Sequence, residues 1–135
     1  MERPFDEGFM SGISVADGQD IIDTRMAPWV KELCIRVEET SDSGAVLRMP
    51  YGEHLARHGG VISGQSMLAF ADSAMVVVIS SALGGYRNMA TVDMTTSFMT
   101  AAYNCDIVGR GEIVKAGKRM VFGQFRLEDA ASGTP

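Results

Sequence analysis

Apolar and polar residues follow different rhythms along this chain, and each change of rhythm marks an element. Ile21, Ile22, Met26 and Val30 recur at helical spacing within residues 20–33. Pro28 lacks a backbone donor and clashes with the preceding turn, so the spacing predicts one short helix ending near Ala27. Residues 34–39 alternate apolar with charged, Ser41-Asp42-Ser43-Gly44 reads as a turn, and residues 45–50 are apolar again apart from Arg48. That pattern predicts a β-hairpin. A loop containing His54, His58, Gly59 and Gly60 then leads to Ser63, a suitable N-cap for a helix through Gln65 to about Leu83. This helix is apolar on nearly every side, with only Gln65, Ser66, Asp72, Ser73, Ser80 and Ser81 polar. Such a helix has to be wrapped by other structure.

The rest is strand-like. Residues 89–99 alternate loosely and are rich in β-formers, and residues 105–114 alternate around Gly109 and Gly111. Lys115-Ala116-Gly117-Lys118 reads as a hairpin turn, and residues 119–128 alternate again. Helix, two strands, long buried helix and three long strands define an α+β chain, an antiparallel sheet wrapped around one long central helix. One helix cannot cover both faces of that sheet, so the other face or an edge is expected to meet a second copy. Residues 1–18, Gly-rich and acidic, are expected to form a flexible arm ahead of a single domain over residues 19–135.

Composition narrows the function. Twelve basic against seventeen acidic residues leave a net charge of −5, which argues against a nucleic-acid surface. Cys34 and Cys105 are too few for a disulfide framework and fit buried thiols in a reducing, cytoplasmic setting. The N-terminus carries Glu2, Asp6, Glu7 and Asp17 and has no signal-peptide core. The apolar run over residues 67–83 is shorter than the ~20 residues of a membrane span. It also holds Asp72 and stops at Gly84-Gly85, so a soluble core helix is expected.

Asp72 is the first candidate for chemistry. A carboxylate among Met67, Leu68, Phe70, Ala71, Met75 and Val76 is costly if buried unpaired. Burial would raise its pKa and suit a general base or nucleophile, whereas an inert Asp bonded to a neighbouring hydroxyl is the plainer alternative. Ser63-Gly64-Gln65 opens the long helix, where unpaired N–H groups and the dipole favour an oxyanion, although an ordinary cap fits equally well. His58 is a possible acid or base, but no Ser or Cys nucleophile motif accompanies it. His54 and His58 are too few for a metal site, and the ten methionines read as adaptable core filling.

Three stretches together resemble one family: HGGVISGQSMLAFADSAM, ATVDMTTSFMTAA and GRGEIVKAGKRMVFGQFRL. They are similar to the hot-dog-fold acyl-CoA thioesterases of the phenylacetate-pathway (PaaI-like) type, over roughly residues 29–129. The resemblance implies that Asp72 attacks the thioester or activates water, with no metal and no cofactor beyond the CoA of the substrate. The family's His-Gly-Gly motif, whose Gly N–H polarises the carbonyl, lies nine positions before the acid, and here that register places Ser63-Gly64-Gln65. His58-Gly59-Gly60 lies five positions too early, and Arg57 stands where the family has Asn or Gln, as a second donor or phosphate contact. Thr91 matches the family's positioning hydroxyl. Lys115, Lys118 and Arg119 are candidates for the CoA phosphates, or a solvated turn. His58 and Gln65 complete the expected substrate contacts. The family has a further strand after the last turn, so a final edge strand is expected beyond Pro135.

Two other functions stay open at this level. A hot-dog dehydratase would use His58, and a non-catalytic acyl-CoA-binding or regulatory module would carry an inert Asp72. Helix geometry adds one constraint on the hydrolase. Gly64 and Asp72 stand ~12 Å apart along one helix and about 80° apart around it. One helix cannot present both groups to one carbonyl, but two antiparallel copies can. The resemblance implies that arrangement, a homodimer with residues 89–99 paired across the dyad, two composite sites, and assembly into a dimer of dimers.

Overall fold

The computed structural model describes residues 12–135. The first helix, α1 (Val15–Arg25), starts before the expected position because Ser14 caps it, its hydroxyl accepting from the Asp17 N–H at 3.0 Å. Residues 15–18, assigned to the arm from their Gly and acid content, therefore belong to α1, while residues 1–11 lie outside the described residues. Gly18 is buried. A Cβ there would come within 3.2 Å of Val77 and 3.3 Å of Val37, so its absence lets α1 press onto the core. A 3-10 segment, Pro28–Leu33, follows and ends at Cys34, which adopts φ 55°. Cys34 is exposed, not buried as expected, because that left-handed turn aims it outward; both thiols are free.

The expected hairpin forms as β1 (Arg36–Thr40) and β2 (Gly44–Met49). With β5 (Ile107–Ala116) and β6 (Val121–Asp129) it makes an antiparallel sheet in the order β1-β2-β5-β6. The β5–β6 turn sits at residues 117–120, where the Gly117 N–H donates to the Met120 carbonyl at 2.8 Å. The free edge of β1 is covered by one side chain: Gln19 donates to the Ile35 carbonyl at 3.0 Å and accepts from the Val37 N–H at 2.8 Å. A small hairpin of β3 (Ala56–Arg57) and β4 (Val61–Ile62) precedes the long helix. Gly59 (φ 92°) and Gly60 (φ 82°) make its turn, conformations that favour glycine.

The long helix, α2 (Gly64–Leu83), has 20 residues, long and apolar enough to cross a membrane, beyond the expected 67–83 run. Here it fills the core: Phe70, Ala74, Val77 and Val78 are completely buried on the face toward the sheet. Gly109 and Gly111 explain how closely it seats. A Cβ on Gly109 would lie 2.0 Å from the Phe125 ring, and one on Gly111 would lie 2.4 Å from Val78. Phe125 in turn meets Phe70 edge to face at 5.4 Å. Gly84, at φ 81°, ends the helix and donates to Ser80 and Ser81 carbonyls.

Residues 89–99 form no strand. β-forming side chains are realised only beside a partner strand, and among the described residues no strand pairs with the segment. Val92 and Met99 are left 76% and 73% exposed as a result. One buried defect gives a stability test. The Ser80 hydroxyl is fully buried and has no hydrogen-bond partner among the described residues, so it carries a desolvation cost with no return there. Ser80→Ala is expected to stabilise the fold by about 1 kcal/mol, read as a raised urea midpoint at unchanged slope. A lowered midpoint would show that the hydroxyl is satisfied in solution.

Candidate active site

The second face of α2 opens onto a cavity bounded in part by the β6 edge of the sheet. Asp72, Met75, Val76, Ile79 and Leu83 recur at helical spacing and line a cavity of about 1040 Å³. Its other walls are residues 87–102 and β6. The helix looked uniformly apolar in sequence because both faces are apolar, one against the sheet and one against this open space. Six methionines, Met67, Met75, Met89, Met94, Met99 and Met120, line the cavity, whereas Met49 alone of the ten is fully buried among the described residues. The expected core filling holds for Met49, in the core, and for Met26, Met67 and Met75, packed against it. Most of the thioethers on the described chain face a space next to a carboxylate.

Asp72 itself is exposed. The burial expected of it is absent in the single chain, since its side of α2 faces the cavity. Its Oδ1 accepts from the Thr91 hydroxyl at 2.5 Å. That bond fixes one carboxylate oxygen and leaves the other without a hydrogen-bond partner among the described residues, able to act as an acceptor or attacking atom. Lys118 and Arg119, both exposed in the β5–β6 turn, stand on the rim of the same cavity.

The remaining candidates cluster at the start of α2. Ser63 is the N-cap and its hydroxyl accepts from the Ser66 N–H at 3.2 Å. Ser66 is buried and donates to the Ser63 carbonyl at 2.8 Å, while the Ser63 N–H donates to the Leu55 carbonyl at 2.9 Å. Gly64 is the first helical residue, and among the described residues no acceptor meets the N–H of Gly64 or Gln65. Those two donors, backed by a long helix, are what an oxyanion needs. Arg57 and His58 are exposed on the β3–β4 turn, Gln65 is exposed on the first helical turn, and His58-Gly59-Gly60 is a hairpin turn apart from the helix start. The acid with Thr91, and the donor with Ser63, thus form two separate groups within one chain. None of Arg57, His58, Ser63, Gly64 and Gln65 lines the cavity of Asp72. Phe98 also lines the cavity, and its ring lies 3.4–3.5 Å from where a Gly64 Cβ would stand. Nothing in its sequence position marked it, because a Phe in a β-like run reads as core.

Comparisons with known proteins give the family and the fold. The thioesterase superfamily model matches residues 58–135. A Halobacterium salinarum protein provisionally named an esterase is 32% identical over 111 residues, covering 76% of this chain and 73% of its own. The zebrafish thioesterase superfamily member 2 superposes with a TM-score of 0.75 at 21% identity, covering 91% of each chain. A hypothetical thioesterase of Streptococcus pneumoniae, solved with coenzyme A, superposes at 0.64 with 19% identity over 74% of this chain and 76% of its own. The fold is the hot-dog fold, an antiparallel sheet around a central helix. The chain belongs to the thioesterase superfamily. It is a thioester hydrolase.

Proposed function

We propose that this protein hydrolyses an acyl-CoA thioester to the free acid and CoA, using Asp72 of one chain and the Gly64 N–H of a second. The observation that carries this reading is the Asp72–Thr91 hydrogen bond, which holds the carboxylate at the wall of a large cavity. Asp72 attacks the carbonyl carbon or takes the proton of an attacking water, and Thr91 holds it in position. Negative charge then gathers on the carbonyl oxygen, where a helix N-terminus stabilises it without reorganising. Collapse of the tetrahedral species breaks the C–S bond and releases the CoA thiolate, which takes up the proton lost by water. Where Asp72 itself attacks, water then hydrolyses the acyl-aspartyl anhydride to the free acid and restores the carboxylate. The acyl-CoA assignment draws support from the coenzyme A bound to the pneumococcal neighbour and from Lys118 and Arg119 on the cavity rim.

Sharing between chains follows from the separation of acid and donor on one helix. The unpaired, apolar residues 89–99 are the surface on which a second copy would complete the sheet, and a dimer of dimers is the further assembly we propose. The free thiols suit the cytoplasm. A dehydratase is disfavoured, since His58 lies on an exposed turn outside the cavity. A panel of short, medium, long and aryl acyl-CoAs, followed by thiol release, tests the reading; saturable binding without thiol release on any of them would instead make this a binding module.

No group of three or more metal-ligating side chains occurs among the described residues. EDTA is therefore expected to leave the rate unchanged, assayed before and after dialysis against the chelator. A loss restored by a divalent ion would overturn the metal-free mechanism.

A further inference from the structure

Ser66 is a buried polar side chain to which the acid, the donor and the Thr91 hydroxyl assign no task. It lies in the first turn of α2 and holds the helix start from within its own chain. Its hydroxyl accepts from the Ser63 hydroxyl at 3.0 Å. Its one proton goes to the Ser63 carbonyl at 2.8 Å, with the Leu55 carbonyl at 3.3 Å as the other acceptor in reach. The Leu55 carbonyl also takes the Ser63 N–H at 2.9 Å, which ties the helix start to the short 3-10 turn Glu53–Leu55. A serine N-cap has a choice of partner. Its oxygen can accept from the N–H of the second helical residue or from that of the third. Those residues are Gln65 and Ser66, and Ser63 takes the Ser66 N–H, at 3.2 Å. The Gln65 N–H is thereby left beside the Gly64 N–H with no acceptor among the described residues.

We propose that Ser66 is a positioning residue for the oxyanion site. By accepting the Ser63 proton it commits the Ser63 hydroxyl to the Ser66 N–H, and so keeps the Gln65 N–H open as a second donor. The inference rests on the acyl-CoA reading above. Two open donors share the charge that develops on the carbonyl oxygen. A cap bonded to Gln65 would instead have to be displaced by every substrate. Each Ser66 acts on the donors of its own chain, and hence on the one site that those donors serve.

The test measures kcat on the best substrate of the acyl-CoA panel, with fold and assembly checked by circular dichroism and sedimentation. Ser66→Ala frees the Ser63 hydroxyl to cap Gln65, so the substrate competes with one hydrogen bond. The expected loss in kcat is about fivefold, the net worth of one such bond. The double variant Ser63→Ala/Ser66→Ala removes the competing hydroxyl as well. It is expected to regain about that factor, although it has lost its cap and is the less stable protein. Helix damage alone would leave it no faster than Ser66→Ala. Ser66→Cys, a weaker acceptor, is expected between the wild type and Ser66→Ala, and carries the comparison if the alanine variant does not fold. Amide exchange at Gln65, followed by NMR, reads the same effect without substrate. It should be fast in the wild type, slower in Ser66→Ala and fast again in the double variant. Unchanged kcat and exchange in Ser66→Ala, or a double variant no faster than Ser66→Ala, would overturn the proposal. Failure of the acyl-CoA reading looks different: the wild type then hydrolyses no acyl-CoA, while Gln65 exchanges as expected. In mixed dimers with one working site, the Ser66→Ala loss should appear only when the substitution is on the chain supplying Gly64. A purely structural role would move both arrangements alike.

Discussion

Asp72→Asn should lower kcat by about 10²–10⁴-fold, the range of a lost general base, and by more if the carboxylate is the nucleophile. The substitution is close to isosteric. Asn keeps an oxygen that can accept from the Thr91 hydroxyl, which is the one polar partner Asp72 has among the described residues. Asp72 is exposed and takes part in no ion pair there, so the melting temperature and the circular dichroism spectrum should stay at wild-type values. Loss of rate with an unchanged fold assigns the chemistry to the carboxylate. Turnover within about threefold of wild type on a good substrate would show that Asp72 is the inert, hydroxyl-bonded residue that its sequence context also allowed.

The second large effect belongs to the other end of the same helix. Gly64→Pro removes one N–H and little else. Proline is favoured at the first position of a helix, and Ser63 before it already holds φ −68° and ψ 145°, the extended conformation that a following proline requires. Loss of one oxyanion donor costs about 10²–10³ in kcat. Gly64→Ala is the control, since it keeps the donor. Its methyl would meet the Phe98 ring at 3.4–3.5 Å, an ordinary contact, so its loss should be at most about a tenth of the proline variant's. Equal losses in the two variants would mean that the N–H is not used. Kinetics on both, with helicity checked by circular dichroism, decide between them.

The sheet was legible in sequence wherever both partners of a ladder lie in the chain. Alternation around Gly44 found β1 and β2, and alternation around Gly109 and Gly111 found β5 to within two residues. Residues 89–99 carry the same β-forming signal yet make no strand, because propensity reports the fit to a pleated surface and not the presence of a neighbour. The start of α1 was hidden by Gly18, which reads as a flexible residue and acts as a packing notch against Val77 and Val37. For the site, Asp72 stood out as a charge in an apolar run, and Thr91 followed from resemblance alone. The burial inferred for Asp72 failed because an apolar neighbourhood in sequence does not say which face of a helix is covered. The approach of Phe98 to Gly64 was not legible, since the two lie far apart in the chain.

The central claim is that each working site is built from two chains, and mixing inactive subunits measures it directly. Asp72→Asn protein supplies intact Gly64, and Gly64→Pro protein supplies intact Asp72. Heterodimers, isolated with two affinity tags and verified as folded, should recover one site in two and up to half the wild-type rate per dimer, while each parent homodimer stays at its own low level. Folded heterodimers that remain as inactive as their parents, or a monomer isolated by dilution with full activity, would contradict the shared site.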